Sequence, residues 1–420
     1  MMKADVAVIG AGLIGAHTAV QLVERGLSVV LVDPGPPGGE QAASYGNAAW
    51  LSSHSVLPPA FPGAWRQVPG WLMDPLGPLS LRPTYLPRVA PWLWRYLASA
   101  STEAKLRRIA ADLRSLLVGA AQLHADVAAR AGLSHLIDAE CGLWHVYRDR
   151  ADYAADALGW TIRRELGIAF EEVEAEDLAR RQPDLSSDYR FGVHVPEAGQ
   201  CLDPGAYCAG LVAHAQNHGA RLLVADATGF REGGGKLTQV ATTQGEISCA
   251  AAVIAAGIRS RALAKMSGDA VPLESERGYH VTVAGGDNMP KPRNGVMVSD
   301  RKVVITRLRH GVRCAGQVEI AGTDAPPNWR RAEVLRAHLA KVFPDLDTRE
   351  GQVWMGHRPS TPDGLPVIGP ASGISGVFHA FGHGHVGLVS SARTGQLCAE
   401  LVTGATPQID LSPFSPGRFA

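Results

Sequence analysis

The sequence predicts an α/β protein in which a parallel sheet with helices on both faces is joined to an α+β region built on an antiparallel sheet. A glycine-rich turn joins a short apolar strand to a helix near the N-terminus. Apolar strand candidates return near residue 250, and segments that alternate polar and apolar residues follow between positions 274 and 320. Strands separated by helices indicate a parallel sheet, whereas alternation within a strand indicates a sheet with one buried face.

The composition excludes several classes of protein. The 420 residues are 46% hydrophobic and 19% charged, which is enough apolar surface for two packed domains. Lys and Arg number 40, as do Asp and Glu, so there is no basic footprint for nucleic acid. The six cysteines form no CxxC pair, which predicts neither a metal site nor a disulfide framework and favours a reducing, cytoplasmic compartment.

Two uncharged stretches, 6–23 and 364–392, have the length of a membrane helix. The first is followed at once by Glu24, Arg25 and a further apolar strand, which a signal peptide would not show. The second contains seven glycines and three histidines, which a membrane helix rarely carries together. We interpret both stretches as buried parts of a water-soluble fold.

The first helix is preceded by a glycine pattern. Residues 6–9 form a strand candidate, Gly10, Gly12 and Gly15 follow with GxGxxG spacing, and 13–24 has the pattern of a helix. Gly10 permits the tight turn, Gly12 lets the backbone approach a pyrophosphate at the helix N-terminus, and Gly15 lets the helix pack on the strand. This order predicts a Rossmann-like dinucleotide-binding domain.

The second strand and the loop after it extend this pattern. Strand 28–32 ends in Asp33, whose carboxylate is placed to accept hydrogen bonds from the ribose hydroxyls of a dinucleotide. Ser44, Asn47 and Ala48 follow in a polar, glycine-bearing loop. Such a loop either lines a long cofactor or is a plain surface loop, and the local sequence leaves both open.

The next segment predicts the start of a second domain. Residues 58–91 are rich in proline, and four tryptophans (Trp65, Trp71, Trp92 and Trp94) lie in or just after this stretch. A core beneath long loops is the favoured interpretation, and a surface that touches a membrane or partner is the alternative. Residues 101–132 have helical periodicity, with Ser101 or Thr102 as the N-cap.

The chain then returns to the first domain. A helix is predicted over 203–219, with Asp203 as its N-cap and a proline in its first turn. Strands at 221–225, 237–242 and 249–255 are predicted to join the parallel sheet. Thr228 is expected near the end of one such strand, and Gly257 follows another at a point that allows close backbone approach.

Three alternating segments, 274–283, 303–306 and 312–320, predict the antiparallel sheet of the second domain. Their polar residues are more often solvated or bridging than ligands, and the pattern leaves their roles open. These residues are Arg277, Tyr279, His280, Thr306 and Arg307.

The C-terminal region holds two further motifs. Arg358 lies in a proline-flanked turn, where a buried guanidinium requires an anion: either a substrate carboxylate or an acid such as Asp363. Gly382, Gly384 and Gly387 precede a helix that is predicted to continue to about residue 403. The positive end of that helix is placed to stabilise a reduced cofactor. His383 and His385 contact the cofactor, cap the helix or fill the core.

Taken together, these motifs resemble the D-amino-acid oxidase/dehydrogenase superfamily of FAD enzymes, and most of all its bacterial D-amino-acid dehydrogenase branch. The matching segments cover nearly the whole chain in the family's order. They are VAVIGAGLIG with Asp33, ASYGNAA at 43–49, LRP at 81–83, VIAAG at 253–257, ERGYHVTV at 276–283, HRPSTPDGLPVIG at 357–369 and GHGHVGL at 382–388.

The resemblance implies a discontinuous FAD-binding domain (1–57, 190–268 and 352–420) and a substrate domain (58–189 and 269–351). It implies oxidation of an amine beside a carboxylate to the imine, by hydride transfer to flavin N5, with hydrolysis to a 2-oxo acid when the amine is primary. The implied substrates are D-amino acids or cyclic secondary amino acids such as D-proline and cis-4-hydroxy-D-proline; glycine or sarcosine is the alternative.

The same resemblance implies a set of site residues. Arg358 is expected to clamp the carboxylate, with Tyr279 and His383 completing the catalytic set. Gly356 stands where several relatives carry the cysteine that tethers flavin, which favours non-covalent FAD. The predicted cofactor-binding residues are Gly10, Gly12, Leu13, Ile14, Gly15, Asp33, Ser44, Asn47, Ala48, Thr228, Gly257, Gly382, His383, Gly384, His385, Gly387 and Leu388.

The electron acceptor is the least determined part of the prediction. The resemblance favours a quinone or respiratory acceptor, and with it a peripheral contact with the inner face of a membrane. Oxygen, with release of hydrogen peroxide, is one alternative, and a non-catalytic flavin subunit of a larger dehydrogenase complex is another. An NAD-dependent dehydrogenase that uses only the N-terminal motif is a further rival, and the sequence predicts no oligomeric state.

Overall fold

The computed structural model describes residues 2–285 and 289–420, and within them it has 22 strands and 12 α-helices. The strands are β1 (Met2–Lys3), β2 (Val6–Ile9), β3 (Val29–Asp33), β4 (Trp50–Leu51), β5 (Leu79–Leu81), β6 (Ile137–Asp138), β7 (Leu143–Tyr147), β8 (Glu171–Glu174), β9 (Phe191–Val195), β10 (Gly199–Cys201), β11 (Arg221–Val224), β12 (Ala227–Gly233), β13 (Lys236–Thr242), β14 (Gly245–Ser248), β15 (Ala251–Ile254), β16 (Glu274–Ala284), β17 (Val296–Val298), β18 (Val303–Leu308), β19 (Gly311–Ile320), β20 (Gln352–Ser360), β21 (Val367–Pro370) and β22 (Val377–Phe381). The helices are α1 (Leu13–Val23), α2 (Val68–Met73), α3 (Leu86–Ser99), α4 (Glu103–Leu117), α5 (Ala120–Arg130), α6 (Arg150–Ala155), α7 (Ala157–Glu165), α8 (Ala175–Arg181), α9 (Pro204–Asn217), α10 (Ser260–Met266), α11 (Arg330–Val342) and α12 (Ser391–Thr403).

A six-stranded sheet carries the N-terminal glycine motif. Its order is β11-β3-β2-β15-β22-β21, and all neighbours are parallel except β21, which is antiparallel to β22. Every residue of β2 and β15 is buried, as expected for central strands of a parallel sheet covered on both faces. The predicted strands at 6–9, 28–32, 221–225 and 249–255 are confirmed to within two residues.

Helix α1 packs on this sheet and against α9 and α12. The approach of α12 depends on Gly395, because a Cβ at that position would lie 2.7 Å from the backbone carbon of His17 on α1. The N-cap predicted for α9 is confirmed: the Asp203 side chain accepts a hydrogen bond from the backbone N–H of Ala206 at 2.9 Å.

The prediction that residues 237–242 join the parallel sheet is wrong. They form β13 of a separate four-stranded sheet, in the order β1-β14-β13-β12. Gly234 and Gly235, both with positive φ, form a two-residue turn between β12 and β13. Such a turn joins only antiparallel strands, because a parallel crossover needs a much longer connection. Thr228 therefore lies near the start of β12.

The largest sheet has nine strands in the order β20-β16-β19-β18-β17-β7-β9-β8, with β5 paired to β19. It contains the predicted strands 274–283, 303–306 and 312–320, and their antiparallel pairing is confirmed. Helix α11 packs on β16 and β19. The predicted FAD-domain ranges 190–268 and 352–420 each begin with a strand of this sheet, β9 and β20; the domain boundaries stay a prediction.

The segment between the two large sheets is partly irregular. The helical stretch predicted over 101–132 is divided into α4 and α5, because Val118 is extended and Gly119 has a φ of 69°. Trp71 and Trp92 belong to the core, whereas Trp65 and Trp94 are 63% and 75% exposed. Over the ranges that the structure describes, no helix is both long and apolar enough to span a bilayer, the six cysteines are free, and no cluster of metal ligands is present.

Candidate active site

A cavity of about 2140 Å³ extends from the carboxyl ends of the parallel strands to one face of the nine-stranded sheet. Pockets for small ligands usually have a volume of roughly 300–1,000 Å³, so this one has room for a dinucleotide and a small substrate together. Its position at the carboxyl ends of parallel strands is where open α/β sheets bind their ligands.

The glycine turn forms one end of the cavity. Gly10 has a φ of 109°, and a Cβ there would lie 2.3 Å from the carbonyl oxygen of Ala255. A Cβ on Gly15 would lie 1.8 Å from the carbonyl oxygen of Gly10, so a side chain at either position would displace backbone. Gly12 caps α1 without a side-chain hydrogen bond. The N-terminus of α1 therefore fits the close approach of a pyrophosphate.

Asp33 has a structural role that the motif did not predict. Its Oδ2 accepts a hydrogen bond from the Ala11 N–H at 2.8 Å, and its Oδ1 accepts one from the Gly35 N–H at 3.0 Å. Ser44 Oγ accepts one from the Leu13 N–H at 3.0 Å. Asp33 thus fixes the glycine turn as well as facing the cavity, where its carboxylate fits a ribose.

The loop at 44–49 is hydrogen-bonded to the nine-stranded sheet through Arg313, which lies on β19. Arg313 donates from Nη1 to the carbonyl oxygens of Tyr45 at 3.0 Å and Asn47 at 2.8 Å. Burial lowers the pKa of Arg313 to about 10, which still leaves it charged at neutral pH. The carbonyl oxygen of Arg307 accepts a hydrogen bond from Gln200 Nε2 on β10 at 3.0 Å.

Two of the polar residues whose roles the sequence left open hold the same loop. Thr306 Oγ1 donates to the carbonyl oxygen of Ala48 at 2.9 Å, and His280 Nδ1 lies 3.3 Å from the carbonyl oxygen of Gly46. Burial lowers the pKa of His280 well below its usual range, so its imidazole is neutral. Both side chains are therefore bridging residues that position a cavity wall.

Arg358 is located on β20 and faces the cavity. Its Nη1 donates to the carbonyl oxygen of Gln317 at 3.2 Å, and its guanidinium lies over Gly278, where a Cβ would come within 2.2 Å of Nη2. Among the described residues no carboxylate lies within 4 Å of it, and the predicted alternative partner, Asp363, pairs with Arg418 at 2.8 Å instead. Burial lowers the pKa of Arg358, so this site favours an anion.

Glu276 is the direct cross-strand neighbour of Arg358 and lies on the same face of the sheet. Its Oε2 accepts hydrogen bonds from Ser360 Oγ at 2.9 Å and from His385 Nε2 at 2.8 Å. Burial would raise the pKa of this carboxyl, but the hydrogen bonds from His385 and Ser360 hold the pKa below its ordinary value. Glu276 is therefore an ionised group in the cavity wall.

A β-bulge positions the carbonyl oxygen of Gln317, which accepts the hydrogen bond from Arg358. The register of β16 and β19 shifts between Arg277 and Tyr279, and the one extra residue lies on β19 near Gln317, which has a φ of 61°. A non-glycine residue in this conformation is strained, and such strain is retained where the surroundings hold it. Arg331 provides that hold, since it donates to Gln317 Oε1 from the other side.

The turn that contains His383 closes the cavity on the side of α12. His383 Nε2 lies 3.1 Å from Thr394 Oγ1, and burial lowers the pKa of His383 to about 3. His383 is therefore neutral and anchors the turn to α12. A three-residue 3₁₀ turn, Gly384–Val386, separates this anchor from α12, which begins at Ser391 rather than directly after Gly387.

The structure brings most of the predicted residues together around the cavity. Those that line it are Gly10, Gly12, Leu13, Ile14, Asp33, Ser44, Asn47, Ala48, Thr228, Gly257, Arg358, His383, Gly384, His385, Gly387 and Leu388. Gly15 and Gly382 lie behind the wall, where they allow close packing. Tyr279 is not brought to the cavity: it faces α11, where its hydroxyl donates to Glu319 at 2.6 Å and accepts from the Asn328 N–H.

Among the cavity residues that the sequence did not predict, four surround Arg358: Glu276, Gly278, Gln317 and Ser360. Alternation along β16 was the available signal, since Glu276 and Gly278 share one face and Arg277 and Tyr279 share the other. Knowing which face meets the cavity requires the pairing with β20, which no single strand reveals.

The comparisons with known proteins agree with this geometry. The family model described as DAO, FAD dependent oxidoreductase, matches residues 5–401. The chain belongs to this family. Its cavity fits FAD, because the glycine turn at the α1 N-terminus lines it without side chains that would block a pyrophosphate and because the cavity is large enough for the whole cofactor.

Two sequence relatives match this flavoprotein over almost all of both chains. A protein named D-amino-acid oxidase from Bradyrhizobium diazoefficiens is 52% identical and covers 99% of this chain and 98% of its own. A D-amino acid dehydrogenase from Rhizobium rhizogenes is 31% identical and covers 99% of each chain.

The solved structures support the fold. Glycine oxidase from Geobacillus kaustophilus has a TM-score of 0.74 and 22% identity and covers 99% of this chain and 98% of its own. An L-amino acid deaminase from Proteus myxofaciens has a TM-score of 0.74 and 17% identity and covers 100% and 94%. At such identities the likeness concerns the fold alone.

Proposed function

We propose that this FAD-dependent oxidoreductase oxidises D-amino acids, or cyclic secondary amino acids such as D-proline and cis-4-hydroxy-D-proline, to the imine or 2-oxo acid. The observation that carries the proposal is the Arg358 guanidinium, which faces the cavity without a carboxylate partner among the described residues. The names of the two relatives, at 52% and 31% identity, support D-amino acids as the substrate class.

The positions of the residues around the cavity indicate which part of the cofactor or substrate each would bind. The Gly10–Gly12 turn and the α1 N-terminus would hold the pyrophosphate, Asp33 would hold the adenosine ribose, and the turn at 383–388 would meet the flavin end. FAD, when bound, supplies the two-electron oxidant. Arg358 would bind the substrate carboxylate through two parallel N–H donors and so fix the orientation of the α-carbon.

Non-covalent FAD is part of the proposal. None of the six cysteines lines the cavity in the part of the chain that the structure describes, and Gly356 occupies the position where a tether would be expected. Acid or heat denaturation should therefore release all of the flavin into the supernatant. Yellow colour that stays with the precipitated protein would contradict this.

The electron acceptor has two candidates. A quinone or another respiratory acceptor is supported by the relatives named dehydrogenase, and the exposed Trp65 and Trp94 offer a surface for a peripheral membrane contact. Oxygen is favoured by the 52% identical relative named oxidase. Hydrogen peroxide formed in a one-to-one ratio with 2-oxo acid would establish oxygen, and turnover only with an added quinone would establish the first.

The test is anaerobic reduction of the holoenzyme by a panel of D-, L- and N-substituted amino acids, followed at the visible flavin bands. Bleaching by D-amino acids alone is the expected result. Bleaching by glycine or sarcosine alone would replace the substrate class, and a flavoprotein that no amino acid bleaches would overturn the function.

Arg358→Ala supplies the matched site test. Because the variant loses the carboxylate donors, we expect flavin content to stay near that of the wild type while kcat/KM falls by about 100-fold or more. Arg349→Ala is the control, since Arg349 is an exposed arginine paired with Asp347 outside the cavity. Kinetics of Arg358→Ala close to those of the wild type would contradict the assignment.

A further inference from the structure

Two opposite charges lie side by side on the cavity wall without forming an ion pair. Glu276 and Arg358 are directly opposite in the β16–β20 register, which puts their Cβ atoms roughly 5 Å apart on one face. Arg358 and Glu276 have no nitrogen–oxygen pair within 4 Å, and the Glu276 carboxylate pairs with His385 instead. Arg358 extends to the carbonyl oxygen of Gln317, while Glu276 extends to Ser360 and His385.

Only one of the two carboxylate oxygens of Glu276 accepts these hydrogen bonds. Both hydrogen bonds end on Oε2, and Oε1 has no hydrogen-bond partner among the described residues. The residue is 2% exposed, yet it lines the cavity. Oε1 is not fully enclosed by protein, so it can accept a hydrogen bond from a ligand in the cavity that brings an N–H group.

We infer that Glu276 binds the α-amino group of the substrate while Arg358 binds its carboxylate. An α-amino acid carries a positive and a negative group on one carbon, and the wall presents the complementary pair on adjacent strands. His385 and Ser360 act as positioning residues, because their hydrogen bonds to Oε2 turn the carboxylate and leave Oε1 toward the cavity. The inference rests on the proposed function.

The other ionisable groups near Glu276 do not compete for this role. Glu274 lies two residues along β16, and Tyr96 faces Glu276 from α3. Burial first, and then Glu276, raise the pKa of Tyr96, so its phenol stays neutral. Arg358 acts on Glu276 as a positive charge, and His385 and Ser360 act on it through their hydrogen bonds. An ammonium group bound at Oε1 would balance the charge of Glu276, as the substrate carboxylate would balance that of Arg358.

Two ligands that differ only in the amine separate recognition from structure. D-Alanine is the substrate probe, and propanoate, which has the same carbon chain without the amine, is the competitive inhibitor. In Glu276→Gln we expect kcat/KM for D-alanine to fall by about 100-fold, mainly through KM, while the Ki of propanoate stays the same or becomes lower. The inhibitor should gain because a negative charge beside its own carboxylate has been removed.

Control variants distinguish a loss of ligand binding from a loss of folding. Arg358→Lys should weaken D-alanine and propanoate alike, because both bind through a carboxylate. Glu276→Asp keeps the charge on a shorter arm and should retain part of the preference for the amine-bearing ligand. His385→Asn should lower kcat/KM for D-alanine by about tenfold without changing propanoate. The flavin spectrum and melting temperature show which variants are folded.

Two outcomes would overturn the inference while the proposed function stands. One is an equal loss of affinity for D-alanine and propanoate in Glu276→Gln, which would make Glu276 a clamp for the turn at 383–388. The other is unchanged D-alanine kinetics in folded Glu276→Gln and Glu276→Asp. A wild-type enzyme that no amino acid reduces would instead remove the proposed function, and the inference with it.

Discussion

At the scale of single residues, the main feature of the site is that two neighbouring side chains of opposite charge do not form an ion pair with each other. Arg358 and Glu276 are neighbours that other partners keep apart, and Gly278 lies beneath the guanidinium because no side chain fits there. Sequence motifs predicted Arg358 but placed Tyr279 in the site in place of Glu276. The family resemblance implied the tyrosine, and only the strand pairing shows that its side chain belongs to the opposite face.

Gly278→Ala tests the space below Arg358. The added methyl group would lie 2.2 Å from Nη2, and since the guanidinium is the end of a flexible side chain, it should move rather than the backbone. We expect KM for the best substrate to rise by about tenfold or more, with melting temperature and flavin content nearly unchanged. Gly233→Ala, on an exposed strand where the nearest atom is 3.5 Å away, is the control. Equal KM values in the two variants would argue against this placement.

At the scale of elements, local signals predicted the strands and helices well, and long-range pairing decided where they went. The GxGxxG turn, the Asp203 cap and the alternation of 274–283 each depend on a few neighbouring residues, so one sequence suffices to find them. The assignment of 237–242 failed because the double-glycine turn before it was not used as a hairpin signal. The break at Gly119 and the late start of α12 depend on packing that periodicity does not encode.

The attachment of the loop at 44–49 to the large sheet gives a prediction for the cofactor. Arg313→Leu removes the donors that hold the carbonyl oxygens of Tyr45 and Asn47, so this wall should loosen. We expect weaker FAD binding by about tenfold, measured by titrating apoprotein with FAD and following the quenching of flavin fluorescence. Arg231→Leu, which removes an exposed ion pair with Glu246, should leave FAD affinity unchanged. If both variants bind FAD as the wild type does, the loop does not depend on Arg313.

At the scale of the whole molecule, the interior holds an unusual number of neutral histidines. Burial lowers the pKa of His17, His54, His145 and His280 well below the usual range, that of His124 to about 4 and that of His383 to about 3. In the unfolded chain each should titrate near pH 6.5. Below that pH the unfolded state binds more protons than the folded one, so folding stability decreases as the pH falls.

The difference in proton binding between the folded and unfolded states can be measured as the slope of the unfolding free energy against pH. Between pH 6.5 and about 4, each buried histidine should contribute about 1.4 kcal/mol of lost unfolding free energy per pH unit, while the curve is flat above pH 7. Urea unfolding of the FAD-saturated protein at several pH values measures it. His124→Gln should flatten the slope by one proton, whereas His135→Gln, at an exposed position, should not. An unchanged slope in His124→Gln would mean that His124 is already protonated in the fold.

The order of strands in the parallel sheet also has a consequence for how the protein is made. Strand β15 pairs with β2 on one side and with β22 on the other, and β22 is synthesised much later than β15, because α10, α11 and the strands β16 to β21 lie between them in the sequence. Until then β15 presents an open, apolar edge of the kind that promotes aggregation. The cavity wall, too, joins Gly10 to Leu388. Cofactor loading should therefore wait until the chain has been synthesised as far as Leu388, and yield in a heterologous host should depend on chaperones and flavin supply.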